Sequence, residues 1–410
     1  MNRGAEECDN IDAVMSRTLF YPIAANAADY PKPILPLLAQ PSWNGFFNHS
    51  GQPEKSAFIG NGESFLQSRY ALAEAMHRAG VEPGKVVLLP AFHCRVIVES
   101  VLSLGAEPCF YPVTPDLKPD FSLLMHLLQE RKVSFVAMVL THYFGFPNAV
   151  KEAEQFCKAN GIVLIEDCAH ALYGQAEGRV LGCIGSYAVA SLWKFLPVRS
   201  GAVLLDNTCT REEHHLSRPP VMEEIKSIGR VIETWLKRRT TGRSLPLLDA
   251  SALADKASKI TQRHVESEPD AGLREFNTAF AAVTAHSTSR WFATMVSHAM
   301  VANRRRANYK LWLEGIRTVA GVKPLFPDLP EHVVPYAFPL LVDSEGLMFH
   351  LLKLAGVPMW RWEDMAVTNC SVSKEYRLRL LQLPCHQDLH SSEIEWLIRS
   401  VQDLAPEAVK

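Results

Sequence analysis

The sequence predicts an α/β protein in which a mostly parallel sheet is covered by helices on both faces and followed by a smaller α+β carboxy-terminal domain. Three observations carry this expectation. From residue 65 short apolar runs alternate with helix-length amphipathic segments, the order produced by βαβ units. Runs such as Lys85-Val86-Val87-Leu88-Leu89-Pro90 are apolar without a break, as strands buried on both faces are. After a long helical stretch, segments of mixed type occupy the last 75 or so residues.

The elements follow in order. Residues 1–57 are rich in Pro and Asn with weak periodicity and are expected to form an extended arm, wrapped on the core or on a neighbouring subunit. Phe65–Gly80 has helical spacing and stops before the turn Glu82-Pro83-Gly84. Then come a strand at Lys85–Pro90, a helix at Val96–Leu104, a strand at Pro108–Val113, a helix at Phe121–Glu130 and a strand at Phe135–Thr141. A helix at Ala149–Ala159 and strands at Ile162–Glu166 and Tyr187–Ala190 complete the pattern. Residues 206–275 are charged and helix-prone without a strong strand signal, and are assigned as a helical insertion in a large domain over 58–275. One long helix is expected over Thr284–Gly315. It opens a small domain over 276–410 that also holds Tyr336–Val342, Leu347–Gly356 and Ser391–Leu404.

Composition narrows the function. The 410 residues, 48% of them hydrophobic, are enough for one large core and a smaller one. Lys+Arg 42 against Asp+Glu 44 gives a formal charge of -2, so no basic field draws the protein to nucleic acid. Nine cysteines without a CxxC pair or a preceding leader point to reduced thiols in the cytoplasm. No apolar run approaches the roughly 20 residues that span a bilayer, so a soluble protein with no membrane partner is expected.

Two clusters carry chemistry. The apolar run Val163-Leu164-Ile165 ends in Glu166-Asp167. Asp167 has two open readings: a side-chain cap for a helix formed by the residues after it, or the partner of a protonated pyridine nitrogen. Ser191-Leu192-Trp193-Lys194 follows the apolar Tyr187–Ala190. A serine three residues before a lysine lets the hydroxyl hold a phosphate while the amine reaches an aldehyde carbon. A lone lysine is ordinarily a solvated surface charge; Trp193, Phe195 and Leu196 take Lys194 off an open face, and burial lowers the pKa of an amine. The two clusters together describe a pyridoxal 5'-phosphate (PLP) site with Lys194 as its Schiff-base lysine. Open ends and loops of α/β sheets place such groups just beyond the strand carboxyl ends.

With these residues in view, the stretch from about 58 to 205 resembles the DegT/DnrJ/StrS family of PLP-dependent sugar-nucleotide aminotransferases. The matching text is Gly84-Lys85-Val86, Leu89-Pro90-Ala91-Phe92, Gly105-Ala106-Glu107-Pro108, His142-Tyr143-Phe144-Gly145, Glu166-Asp167-Cys168-Ala169-His170-Ala171, Gly178-Arg179 and Ser191-Leu192-Trp193-Lys194. Weaker echoes lie in Ala355-Gly356-Val357-Pro358 and Leu383-Pro384-Cys385-His386.

The resemblance implies fold type I, with a mostly parallel seven-stranded sheet, and a homodimer whose active site is shared. It implies Lys194 as the catalytic acid and base, Asp167 on the ring nitrogen and His170 near the ring hydroxyl. It implies a phosphate-cradling turn at Ser68 and Arg69, where helix-start N–H groups suit a dianion, completed by Ser191. The implied reaction moves an amino group, from glutamate, to a keto sugar linked to a nucleotide, in polysaccharide or secondary-metabolite biosynthesis.

Three departures stand out. Cys94 takes the place of the family's ring-stacking aromatic, leaving Phe92 or His93 to cover the ring. The serine and lysine are three apart where the family usually has five. Only Gly201 remains of the glycine-rich stretch after the lysine, which reads Arg199-Ser200-Gly201-Ala202. Two other outcomes stay open: another carbanion reaction on the same cofactor, such as dehydration or decarboxylation, and a noncatalytic scaffold. His142 is either a site residue or a structural hydrogen-bonding group. Arg304-Arg305-Arg306 is either a solvated helix face or a contact to substrate or partner, and Trp360 and Trp362 either face substrate or pack in the core.

Overall fold

The computed structural model describes residues 18–21, 30–40, 54–130, 133–208, 215–240, 245–261, 268–343 and 346–405. Most of the expected amino-terminal arm lies outside them. Its described pieces pack on this same chain: Leu19–Phe20 forms β1, Tyr21 N–H donates to Met365 O, and Ile34 N–H donates to Gly356 O.

The large sheet has seven strands in the order β2-β10-β9-β6-β5-β3-β4. They are β2 (Glu63–Phe65), β3 (Val86–Pro90), β4 (Glu107–Tyr111), β5 (Phe135–Thr141), β6 (Val163–Cys168), β9 (Tyr187–Ser191) and β10 (Ala202–Asp206). A small hairpin, β7 (Gln175–Ala176) with β8 (Arg179–Val180), precedes β9. The body β9-β6-β5-β3-β4 is parallel, and β10 and β2 add an antiparallel edge. Successive strand residues point to opposite faces, and both faces are buried here. Val87, Leu89, Val139 and Ile165 pack under α1 (Ser68–Arg78) and α2 (Arg95–Leu102). Leu88, Met138, Leu140 and Leu164 pack on α3 (Phe121–Glu130) and α4 (Val150–Asn160) through Leu124, Ala153 and Phe156. This two-sided burial is why the strands read as unbroken apolar runs.

Residues 206–275 contain α5 (Val221–Thr240), α6 (Ala250–Thr261) and the short β11 (Asp270–Ala271), which pairs antiparallel with β1. A two-residue strand leaves no period in a sequence. Arg95 anchors that corner: it pairs with Glu99, Asp270 and Asp364 and lies 4.0 Å over the Phe20 ring.

The helix expected over Thr284–Gly315 is in fact two, α7 (Ser287–Met295) and α8 (His298–Ile316). Val296 is extended, and the Ser297 hydroxyl accepts from Met300 N–H to start α8 anew, a cap the apolar periodicity hides. A three-stranded antiparallel sheet follows, β12 (Val322–Pro324), β13 (Ala337–Val342) and β14 (Leu380–Pro384). It is accompanied by α9 (Leu347–Leu354), α10 (Ser371–Arg379) and α11 (Ser391–Leu404). Trp312 of α8 stacks on Phe338 of β13 at 5.1 Å.

Candidate active site

Parallel strands deliver their carboxyl ends to one edge of the sheet. Register sets Thr141 of β5 beside Asp167 of β6, and Asp167 beside Val189 of β9. These three line one cavity with Gln67, Ser68 and Arg69 at the start of α1, and with His93, Cys94, Ala169, His170, Trp193, Lys194 and Trp362. Lys194 ends a single helical turn, Leu192–Lys194, that follows β9 directly. The lysine and the acid singled out in the sequence therefore share one cavity.

Burial and charge act against each other there. Desolvation pushes the Lys194 amine below its ordinary pKa, while Cys94 and Asp167 pull it back up and Arg69 pushes it further down. Desolvation pushes the Asp167 carboxyl up, opposed by Lys194, the Ala169 N–H, His142 and Thr141. Each ion is thus tolerated mainly because of its neighbour. Burial, and then the Lys194 charge, hold His170 well below its usual pKa, so it is neutral. Its ring stacks on Tyr336 at 4.4 Å, and its Nδ1 is buried without a hydrogen-bond partner.

The capping reading of Asp167 does not hold, because a turn and not a helix follows β6. Asp167 Oδ1 accepts from Ala169 N–H at 3.0 Å and its Oδ2 accepts from Thr141 Oγ1 at 3.4 Å. Its neighbour Glu166 points to the other face of the strand. There, fully buried, Glu166 accepts N–H groups from Gly182, Ile184 and Gly185 and a bond from His142 Nε2 at 3.2 Å. His142 Nδ1 accepts from Asn148 N–H, so His142 is a structural group, not part of the cavity wall. Buried Cys168 completes a trio with His142 and Glu166 whose ligand atoms lie within 4.8 Å. Nε2 carries the proton and the carboxylate is filled by N–H donors, which leaves no set of lone pairs for a metal ion.

The structure sets Ser191, Arg69 and His93 in surroundings that the sequence does not show. Ser191 has a buried hydroxyl with no partner, but it is not in the cavity wall. Val189, five residues before Lys194, occupies the wall on that strand face. Arg69 lines the cavity; its Nη1 donates to the Glu275 carbonyl and carboxylate, while its Nε is buried without a hydrogen-bond partner. The helix start, the Ser68 hydroxyl and the Arg69 Nε are then what that end of the cavity offers an anion.

His93 is in the wall but not free to cover a ring. It stacks on Phe110 at 4.8 Å, donates from Nδ1 to Pro90 O and accepts at Nε2 from Ala366 N–H. Burial pushes its pKa down to about 4. Phe92 packs against Trp362, Tyr143 and Tyr376 outside the wall. Cys94, whose thiol burial pushes up, therefore stands on the wall where the family has an aromatic, and the aromatic faces come from Trp193, Trp362 and His170. Of the two indoles, Trp362 lines the cavity. Trp360 instead meets Trp193 edge-on at 6.2 Å.

The arginine run is only partly a solvated face, since Arg304 is exposed, Arg306 half-buried and Arg305 buried. Arg304 donates to Gln387 O and Leu389 O, Arg306 pairs with Glu54, and Arg305 is fully buried. Tyr336, whose ring lies 5.8 Å from Lys194 Nζ, was not among the sequence candidates. It leads into β13 as an ordinary apolar position and carries no local signal.

Comparison with known proteins follows this geometry. Residues 67–212 match the DegT/DnrJ/EryC1/StrS aminotransferase family. The dTDP-4-dehydro-2,3,6-trideoxy-D-glucose 4-aminotransferase of Saccharopolyspora spinosa is 30% identical over 152 residues, which is 37% of this chain and 36% of that protein. The alignment thus spans about a third of that relative's length. Among solved structures, the aminotransferase TlmJ of Streptoalloteichus hindustanus superposes with a TM-score of 0.60 at 20% identity, covering 98% of this chain and 97% of its own. Spr1654 of Streptococcus pneumoniae, solved in a PLP form, gives 0.57 at 15% identity over 86% of this chain and 88% of its own. The fold is accordingly that of solved aminotransferases from end to end. The family match over residues 67–212 takes in every residue of the cavity wall except Trp362.

Proposed function

We propose that this protein is a PLP-dependent aminotransferase that moves an amino group, from glutamate, to a keto sugar linked to a nucleotide. The observation that carries the reading is that the Lys194 amine and the Asp167 carboxylate line one cavity at the strand ends and each shifts the other's pKa. The polar groups fit the cofactor: an amine, an acid, an unpartnered His170 Nδ1 and a helix start facing one space. When bound, PLP supplies an electron-withdrawing ring that stabilises negative charge at the carbon bearing the amino group. Asp167 would hold a proton on the ring nitrogen, and neutral His170 would offer Nδ1 to the ring hydroxyl. Ser68 and the first N–H groups of α1 would hold the phosphate, and Cys94 would flank the ring. Lys194, its pKa lowered by burial, takes and returns the proton at the reacting carbon. The nucleotide-linked sugar is inferred from the name of the Saccharopolyspora spinosa relative.

The test is spectroscopic. Protein incubated with PLP should absorb in the visible and, after borohydride, carry the added mass on the peptide containing Lys194. Glutamate should then bleach the band, and a nucleotide-linked keto sugar should restore it. A colourless protein with no trapped mass would leave only a scaffold. A coloured protein that consumes substrate without forming an amine would point to dehydration or decarboxylation.

We also propose a homodimer in the cytoplasm, with 58–275 and 276–410 as its large and small domains. The seven cysteines among the described residues are free thiols, as in a reducing compartment. Among the same residues no helix is long and apolar enough to cross a membrane. The dimer is supported by α5, where Val221, Met222, Ile225, Ile228, Ile232 and Leu236 are 43–75% exposed. All but Met222 fall on one narrow helix stripe. A patch of this kind is unusual on a monomer, and a two-fold axis that doubles it would approach the roughly 1,200 Å² of a stable interface. Ile228→Glu with Ile232→Glu should convert a dimer into a folded monomer in sedimentation at micromolar concentration. A monomeric wild type, or an unaltered dimer in the double variant, would refute this interface.

A further inference from the structure

Arg305 has no exposed surface, and among the described residues it makes no ion pair. Its guanidinium instead spends its donors on uncharged oxygens. Nε donates to Gln387 Oε1 at 2.9 Å. Nη1 donates to Pro335 O at 3.2 Å and Tyr336 O at 2.9 Å. Nη2 donates to Lys194 O at 3.3 Å and Phe195 O at 3.2 Å. The guanidinium also lies 4.6 Å over the Phe195 ring, and Gln387 Nε2 donates to the same Phe195 carbonyl at 2.9 Å. Burying a cation without a counter-ion is costly, and desolvation lowers even this guanidinium's pKa. Such an arrangement asks for a return that an apolar side chain would not give.

What the fork holds together is informative. Lys194 and Phe195 belong to the turn after β9, Pro335 and Tyr336 lead into β13, and Gln387 follows β14. Only a planar group with five donors bridges carbonyls from three such segments. Two of the segments define the surroundings of the Lys194 amine: the backbone from which that side chain springs, and Tyr336, whose ring lies 5.8 Å from Nζ and stacks on His170. We infer that Arg305 is the positioning residue of the Lys194 amine. It fixes the lysine backbone and the Tyr336–His170 pair in one rigid unit without touching cofactor or substrate. The inference rests on the reading of Lys194 as the reactive amine.

The experiment uses PLP itself as a probe of the cofactor-free full chain. The borohydride-trapped mass is followed against time and pH, alongside the melting temperature. Arg305→Lys keeps the charge but loses the fork, so it should slow trapping on the order of tenfold or more. It should also move the pH midpoint of trapping upward, because a loosened amine is better hydrated. Gln387→Met, which removes one bond to Arg305 and one to Phe195, should shift both readouts in the same direction by less. Trp312→Phe, on the same helix but packed on Phe338, serves as a control that lowers the melting temperature without changing either readout. A folded Arg305→Lys protein with the wild-type rate and midpoint would overturn the inference. If that variant does not fold, unchanged readouts in Gln387→Met would do so. A wild type that traps no PLP would instead remove the reading of Lys194 on which the inference stands.

Discussion

Lys194→Ala is expected to abolish amino transfer and all borohydride-stable attachment of PLP while the protein remains folded. The loss should be at least about 10³-fold, since a positioned proton-transfer group alone is worth about 10²–10⁴ and the covalent anchor goes with it. The fold should survive because residue 194 ends a short turn whose backbone is held independently, by Arg305 and by the Phe195 N–H to Leu192 O bond. A pH signature accompanies the loss. Burial lowers the Lys194 pKa from its model-peptide value of 10.5, so between the lowered value and 10.5 the unfolded chain binds more protons than the folded one. Wild-type stability therefore gains from this lysine as pH rises through that window. The alanine variant should lack that gain in denaturant titrations of the cofactor-free protein. Retained turnover, or trapped cofactor on another lysine, would refute the assignment.

Asp167→Asn is the second large effect. The amide can still accept the Ala169 N–H, so the turn is preserved, but it cannot hold a proton on a pyridine nitrogen as a carboxylate does. A charge-assisted bond of this kind is worth roughly 1.5–3 kcal/mol, which corresponds to about 10- to 100-fold weaker PLP retention, and activity should fall with it. Stability should move the other way. Burial raises the Asp167 pKa above 3.8, so the folded chain holds its proton longer than the unfolded one. The wild type accordingly loses stability as pH rises from 3.8 through the raised value. The asparagine variant carries no such penalty and should be at least as stable without cofactor at neutral pH. Equilibrium dialysis with PLP and thermal melts would measure both, and unchanged retention with unchanged kinetics would contradict the role. Stability given up at the site for function is a common trade in enzymes.

Much of this site could be read in advance because its components are local. The strand Val163–Cys168 ends in a carboxylate, and a lysine follows the strand Tyr187–Ser191. Two neighbouring parallel strands must then bring both to one edge. What the sequence leaves undecided is where packing chooses between equivalent side chains. Ser191 and Val189 lie on the same face of β9, yet only Val189 reaches the wall. His93 and Cys94 are adjacent, and His93 is locked by Phe110, Pro90 and Ala366, the last of these remote in sequence. The break at Val296–Ser297 consists of one extended residue and one serine cap, too small a feature to interrupt a helix-prone composition.

The sequence by itself determined the alternation of strands and helices, the mostly parallel sheet and the presence of a lysine and an acid at its carboxyl edge, because backbone periodicity depends only on near neighbours. Tertiary structure decided that Asp167 faces the cavity while Glu166 pins the loop at 182–185, that Trp362 and not Trp360 closes the wall, and that the middle arginine of a run of three is a buried clamp. Those outcomes depend on which segments distant in the chain supply carbonyls, N–H groups and rings around each side chain, and that information exists only once the segments have met.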